Sequence, residues 1–191
     1  MLARAPALRI APMADREQRP APSPDPPEEP RFSHLDAGGG AHMVDVSGKP
    51  VTRRVAAASC RVRLTASTVA RLAELPKGDA FVVARLAGIQ GAKRTGELVP
   101  LAHPLPLDQV EVEVRPLPPG EESGVEVRSR VVTTGRTGAE MEALTACATA
   151  ALALYDMVKA VERGAVITDL RLEAKSGGKS GDWRRGAEPP V

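Results

Sequence analysis

The 191-residue sequence predicts an α+β sandwich. Three observations carry it: two apolar/polar alternations either side of a Pro-Pro-Gly turn, a long apolar helical stretch ahead of a final alternating segment, and a helical pair after the first strand. Helices of this kind can cover one face of a mainly antiparallel four-stranded sheet and leave the other face in water.

The elements follow in order. Val55–Leu64 ends in apolar/polar alternation and reads as the first strand. Ser67 is placed to cap a short helix, Thr68–Leu75, which Pro76 stops. A second helix runs from Asp79 to about Lys93, with Phe81, Val82, Leu86 and Ile89 at helical spacing. Gln109–Arg115 sets Val110, Val112 and Val114 against Glu111, Glu113 and Arg115, and Val125–Val131 alternates again, making a hairpin with one wet face. A long helix spans Gly138 to about Arg163, and Val166–Ala174 closes the fold as a last strand. Strand, two helices, two strands, helix, strand is the order of a ferredoxin-like split βαβ unit.

Residues 1–32 stand apart from residues 33–191, which read as a single domain. The first 32 residues hold eight of the eighteen prolines and show no apolar periodicity, so they bury too little to offset the entropy of ordering and read as a disordered tail. Pro6 and Pro12 break any amphipathic targeting helix, no apolar run has the length of a secretory signal, and no membrane partner is expected. Cytoplasm is therefore the expected compartment, and Cys60 and Cys147, far apart in the chain, do not suggest a disulfide framework.

A formal net charge of +2 argues against a broad nucleic-acid surface, and four aromatic residues are too few for single-strand stacking platforms. Residues 171–185 nevertheless hold five Lys or Arg against two acids, a local excess that suits a polyphosphate. Gly178-Lys179-Ser180 is not a Walker A loop, because Glu173 stands where that motif needs its first glycine. Its glycines and cations can still hold phosphate. The histidines and cysteines show no metal-ligand spacing.

Six lysines against twenty arginines make each retained lysine informative, since an ammonium can give up its proton on desolvation and a guanidinium cannot. On the long helix Met141, Thr145, Ala148, Leu152, Tyr155 and Lys159 share one stripe. Lys159 there either snorkels at the helix end or sits desolvated with a lowered pKa, and Asp156 is close enough to pair with it. Six alanines between Ala143 and Ala153 allow close packing on more than one side. Thr137 and Glu140 have the spacing of a capping box, which leaves Glu142 without a capping role. Pro104 holds His103 out of helical geometry, in a stiff loop near Lys93. Lys49 reads as a surface residue.

Several phrases together resemble one family. Ala41–Val46, Ala87–Thr95, Leu98–Leu105, Gly138–Thr145, Tyr155–Val161 and Ala174–Asp182 are similar, in order and spacing, to the cyclic pyranopterin monophosphate synthases of molybdenum cofactor biosynthesis, over about residues 33–184. The resemblance implies a lyase that converts the cyclised GTP derivative, (8S)-3',8-cyclo-7,8-dihydroguanosine 5'-triphosphate, to cyclic pyranopterin monophosphate with release of pyrophosphate. It implies a radical-SAM GTP cyclase as functional partner and a homohexamer, a trimer of dimers, with the site at a subunit interface. Asp156, Lys159 and Lys77 match catalytic positions. Leu101, Ala102, His103, Glu140, Met141, Glu142, Lys93 and Lys175 match substrate-binding ones, and Lys179 is expected to contact phosphate. Ala102 and Val158 stand where some relatives carry cysteine, so neither thiol is needed for the chemistry.

Such a reaction is a series of proton transfers without net redox change, so no cofactor is required, and magnesium would accompany only the triphosphate. The alternative function is a non-catalytic polyphosphate-binding module. Glu142 and Asp156 are fourteen residues apart on one helix, roughly 21 Å, too long for one substrate, so the site is expected to combine residues of two chains.

Overall fold

Strand β1, Thr52–Arg63, is built from small and β-branched residues and forms the centre of the sheet. The computed structural model describes His34, residues 38–118 and residues 122–187; the expected tail lies outside the described residues. β1 pairs antiparallel with β3 (Gly124–Gly135) on one side and with β4 (Val166–Ser176) on the other. β2 (Leu107–Pro116) lies outside β3, which gives the order β2-β3-β1-β4 expected of a ferredoxin-like unit. A fifth strand, β5 (Trp183–Arg184), adds a two-residue edge beside Ala174 and Lys175, one strand more than the sequence indicated.

The helices cover one face. Ala56, Ala58, Cys60 and Val62 of β1 are at most 2% exposed and join one core with Val125, Val127 and Val131 of β3. On the opposite face of the β2–β3 hairpin Glu126 receives Arg115 at 2.9 Å and Arg128 at 3.0 Å, the wet charged face that the alternation predicts. Cys60 and Cys147 are buried free thiols, and the Cys60 thiol donates to the carbonyl of Cys147 at 3.5 Å.

The helices depart from the sequence reading in the bounds of the first and the long helix and in the buried face of the second. The short helix α1 is Ala66–Val69, followed by a 3-10 turn at Leu72–Glu74. Ser67 therefore lies inside α1 and does not cap it. Thr65 precedes the helix, and its amide and hydroxyl donate to the Glu162 carboxylate at 2.8 and 3.0 Å. Helix α2, Ala80–Lys93, does begin at Asp79, whose carboxylate accepts from the amides of Phe81 and Val82. Its buried face, however, is Ala80, Ala84, Gly88, Gly91 and Ala92, while Val82 and Leu86 are exposed. Size explains the inversion: α2 packs against the last helix so closely that a Cβ on Gly88 would lie 2.9 Å from the Ala146 carbonyl oxygen, and one on Gly91 would overlap Thr149 Oγ1. Only small residues fit that crossing.

A one-turn helix α3, Thr95–Leu98, leads into the proline-rich loop. The long helix α4 is Glu140–Val158, shorter at both ends than expected. It is long and apolar enough by composition to cross a membrane, but half of it is buried within the fold as a core helix. Ala143, Ala146, Cys147, Ala150, Ala151 and Leu154 form its inner face, and the stripe of Met141 and Leu152 faces outward.

Candidate functional site

Sheet register sorts the site residues into two groups. Thr52 pairs with Gly135 and Val55 with Ser176, so the start of β1 and the ends of β3 and β4 share one edge of the molecule. Arg63 pairs with both Gly124 and Val166, which defines the opposite edge. Helix α4 starts five residues after Gly135 and ends eight before Val166, so it runs from the first edge to the second.

At the first edge Lys175, the last lysine of β4, sits 3.8 Å from the Glu140 carboxylate and donates to the Ser180 hydroxyl. Both side chains are largely sheltered. The expected capping box is absent: Ala139 is the residue before α4, it makes no side-chain cap, and Glu140 is the first helical residue. The start is two residues too late for Thr137 to serve it. Glu140 instead folds over Gly138, where a Cβ would overlap its carboxylate, and faces Lys175.

Glu142 is 3% exposed. Burial pushes its carboxyl up to about 7, against the pull of its own backbone amide and with the help of the Glu140 charge. A carboxyl titrating near neutrality can give or accept a proton at working pH.

His103 lines a small cavity of about 250 Å³ with Val51, Leu105, Arg136 and Thr137 at this same edge. Leu101 and Ala102, in the same loop, are half-buried beside it in sequence. Met141 is exposed in the first turn of α4, and Lys93 is exposed in the last turn of α2.

A recess of about 970 Å³ opens next to the glycine-rich turn. Lys179 and Ser180 line it, as expected of a phosphate contact, but so do Lys49, Thr52 and Arg54. Lys49 was expected to be an ordinary surface residue, and Arg54 drew no notice among twenty arginines. Nothing in the local sequence joins them to Lys179, since only strand pairing brings residues 49–54 and 178–180 together. A separate depression of about 740 Å³ on the open sheet face, between Glu111, Arg128 and Arg171, contains none of the predicted site residues.

The second edge carries the three predicted catalytic residues. Asp156, in the last turn of α4, pairs with Lys159 at 2.6 Å and lies 4.0 Å from Lys77. Lys77 also donates to the Asp156 carbonyl at 3.4 Å. All three side chains are more than half exposed. The expectation of a desolvated Lys159 with a lowered pKa is overturned: the hydrogen bond and charge of Asp156 raise it, and the same contact holds the Asp156 carboxyl below the usual carboxylate range. The stripe that carries Lys159 faces solvent, because the alanine face took the core.

Sequence comparison places the chain in a family. Residues 43–178 match the MoaC family. The chain is 53% identical over 165 residues to a cyclic pyranopterin monophosphate synthase of Streptomyces avermitilis, covering 85% of this chain and 95% of the relative. The chain belongs to the MoaC family.

A second family member, from Streptomyces coelicolor, is 53% identical over 172 residues, 88% of this chain and 98% of its own length, and bears the same name. One from Thermomicrobium roseum is 54% identical over 156 residues, covering 81% and 93%. The matched span contains Lys77, Lys93, His103, Glu140, Glu142, Asp156, Lys159 and Lys175, and it takes in both edges of this MoaC-family fold. Lys179 falls one residue beyond the family match.

Proposed function

We propose that this MoaC-family chain is a cyclic pyranopterin monophosphate synthase, a lyase that rearranges the cyclised GTP derivative and releases pyrophosphate. The single observation that carries this is the near full-length similarity to curated synthases, over a span that holds every proposed catalytic group. The geometry supplies suitable chemistry. Glu142 titrates near neutrality and can exchange protons as the purine imidazole opens and the pterin ring closes. Closing the cyclic phosphate forms one P–O bond from a ring hydroxyl to the α-phosphorus and breaks the bond to pyrophosphate. Cations are needed there to stabilise the charge that builds on phosphate oxygens.

Lys159 works as an ammonium in this reading, as a proton donor or electrostatic partner, because Asp156 favours its charged form. The catalytic trio and the substrate set stand at opposite edges of α4, some 21 Å apart along the helix axis. A complete pocket therefore combines the Asp156 edge of one chain with the Lys175 edge of another, and the expected homohexamer built from dimers provides such an interface. The reading needs no redox cofactor; any magnesium arrives with the triphosphate. It takes its substrate from a radical-SAM GTP cyclase and works as a soluble cytoplasmic enzyme.

The decisive experiment supplies the cyclised GTP intermediate to purified protein and follows pyrophosphate and the pterin product. Stoichiometric appearance of both supports the lyase. Folded protein that binds the intermediate and yields neither would leave the polyphosphate-binding module as the better account.

A further inference from the structure

Glu162 lies past the end of α4, three residues beyond Lys159, and none of the chemistry described above uses it. It is half-buried, and both carboxylate oxygens are engaged far along the chain: Oε1 accepts from the Thr65 amide at 2.8 Å and Oε2 from the Thr65 hydroxyl at 3.0 Å. Burial pushes this carboxyl up, but the Thr68 hydroxyl and the amide and hydroxyl of Thr65 outweigh it and hold the group below the usual carboxylate range. Glu162 is therefore ionised near neutrality.

Helix ends fray unless something outside the helix holds them, because their last carbonyls have no partner within it. The end of α4 is such a place. Lys159 follows the last helical residue, and its amide still donates to the Tyr155 carbonyl at 2.9 Å. Beyond it the amides of Val161 and Glu162 both donate to the Val158 carbonyl, at 2.8 and 2.9 Å, which closes a tight turn. Two ties fasten that turn. The Tyr155 hydroxyl donates to the Arg163 carbonyl at 3.2 Å and folds the turn back on α4 itself. The Glu162 tie reaches the start of α1, at the head of the segment that carries Lys77. Lys159 and Asp156 meet at 2.6 Å although both side chains are more than half exposed. An exposed ion pair contributes little by itself and does not fix a helix end. A carboxylate that receives two charge-assisted bonds from one residue does.

We propose that Glu162 is a positioning residue: by clasping Thr65 it fixes the turn after α4, so that Lys159 stays against Asp156 and the pair stays facing Lys77. The effect on turnover rests on the lyase reading above, whereas the hold on Lys159 rests on the geometry alone.

The test compares Glu162→Ala, Glu162→Gln and Thr65→Val with a control at the same edge, Glu122→Ala, which removes an exposed pair with Arg63. Trace acetylation of the full chain, read by mass spectrometry, reports how firmly Asp156 holds the Lys159 ammonium, since an amine released from its carboxylate gives up its proton more readily. Lys159 should label roughly threefold faster or more in Glu162→Ala. The gain should be smaller in Glu162→Gln, whose amide oxygen still accepts from Thr65, and absent in Glu122→Ala. In turnover Glu162→Ala should lower kcat by about tenfold and leave KM within about threefold. A residue that only caps α1 would lower Tm and leave both Lys159 labelling and kcat, measured well below Tm, at parent values; that outcome overturns the proposal. Thr65→Val removes one of the two bonds from the other side, should raise labelling in the same direction, and carries the test if Glu162→Ala fails to fold. Turnover in the parent with labelling and kcat indifferent to the variants sinks the positioning role and spares the lyase. Faster Lys159 labelling in the variants of a protein that makes no pterin product sinks the lyase and leaves the clasp standing.

Discussion

Asp156 and Lys175 stand at opposite edges of one chain: Asp156 in the final turn of α4, Lys175 on β4 opposite Ala56 near the start of β1. If both serve one substrate they do so from different subunits. Mixing inactive Asp156→Ala and inactive Lys175→Ala chains, with subunit exchange confirmed, should then regenerate some pockets with all groups intact. Up to about a quarter of wild-type activity is expected from random pairing of dimers that each carry two sites. No recovery would place the two residues in one chain's pocket.

Lys159 offers a test of charge against proton chemistry. Its ammonium meets Asp156 at 2.6 Å in a compact geometry. A guanidinium keeps the charge and cannot donate a proton near neutrality. Lys159→Arg should lower kcat by roughly a hundredfold or more and leave substrate affinity, measured by calorimetry, within about threefold. A variant with full turnover would make the residue a purely electrostatic partner.

Glu142 makes stability depend on pH. Its folded carboxyl titrates near 7, above the ordinary value of 4.5, so between those pH values the folded chain binds a proton that the unfolded chain has released. Stability from this group is complete below about pH 4.5 and is lost as pH rises through 7. Glu142→Gln should flatten that part of the profile and raise Tm at pH 8 by roughly 3 to 6 °C. A Tm–pH curve identical to the parent's would show that the carboxyl is not held protonated.

Gly91 sets how closely α2 approaches α4. An added Cβ would overlap Thr149 Oγ1 and lie 2.8 Å from the Cβ and Cγ2 of that β-branched side chain, whose hydroxyl donates to the Thr145 and Ala146 carbonyls of its own helix. Gly91→Ala should cost about 1–3 kcal/mol, read from urea unfolding, and Gly91→Val more. Thr149→Ala should recover part of the loss, since it removes the hydroxyl and the methyl that the new Cβ meets.

Gly138 acts on the substrate edge through Glu140. A Cβ there would displace the carboxylate that lies over it and faces Lys175. Gly138→Ala should raise KM several-fold with a smaller change in kcat and with Tm within a few degrees of the parent. Equal losses in KM and Tm would instead point to a disturbed start of α4.

Local chemistry made much of the protein legible in one dimension. The alternation of Val110, Val112 and Val114 with charged residues and the start of α2 at Asp79 each depend on neighbours a few residues away, and the order of strands and helices pointed to a ferredoxin-like sheet; the Pro-Pro-Gly turn lies partly outside the described residues. The Asp156–Lys159 pair was legible for the same reason, being three residues apart on one helix. Packing was not. The wheel favoured large side chains for the core of α2 and α4, whereas the close crossing selected glycine and alanine and turned Leu86 and Leu152 to the outside. That reversal decided that Lys159 is exposed and charged rather than desolvated. Only tertiary structure brought Lys49 and Arg54 to Lys179, because strand register joins positions more than a hundred residues apart and leaves no mark on either segment alone.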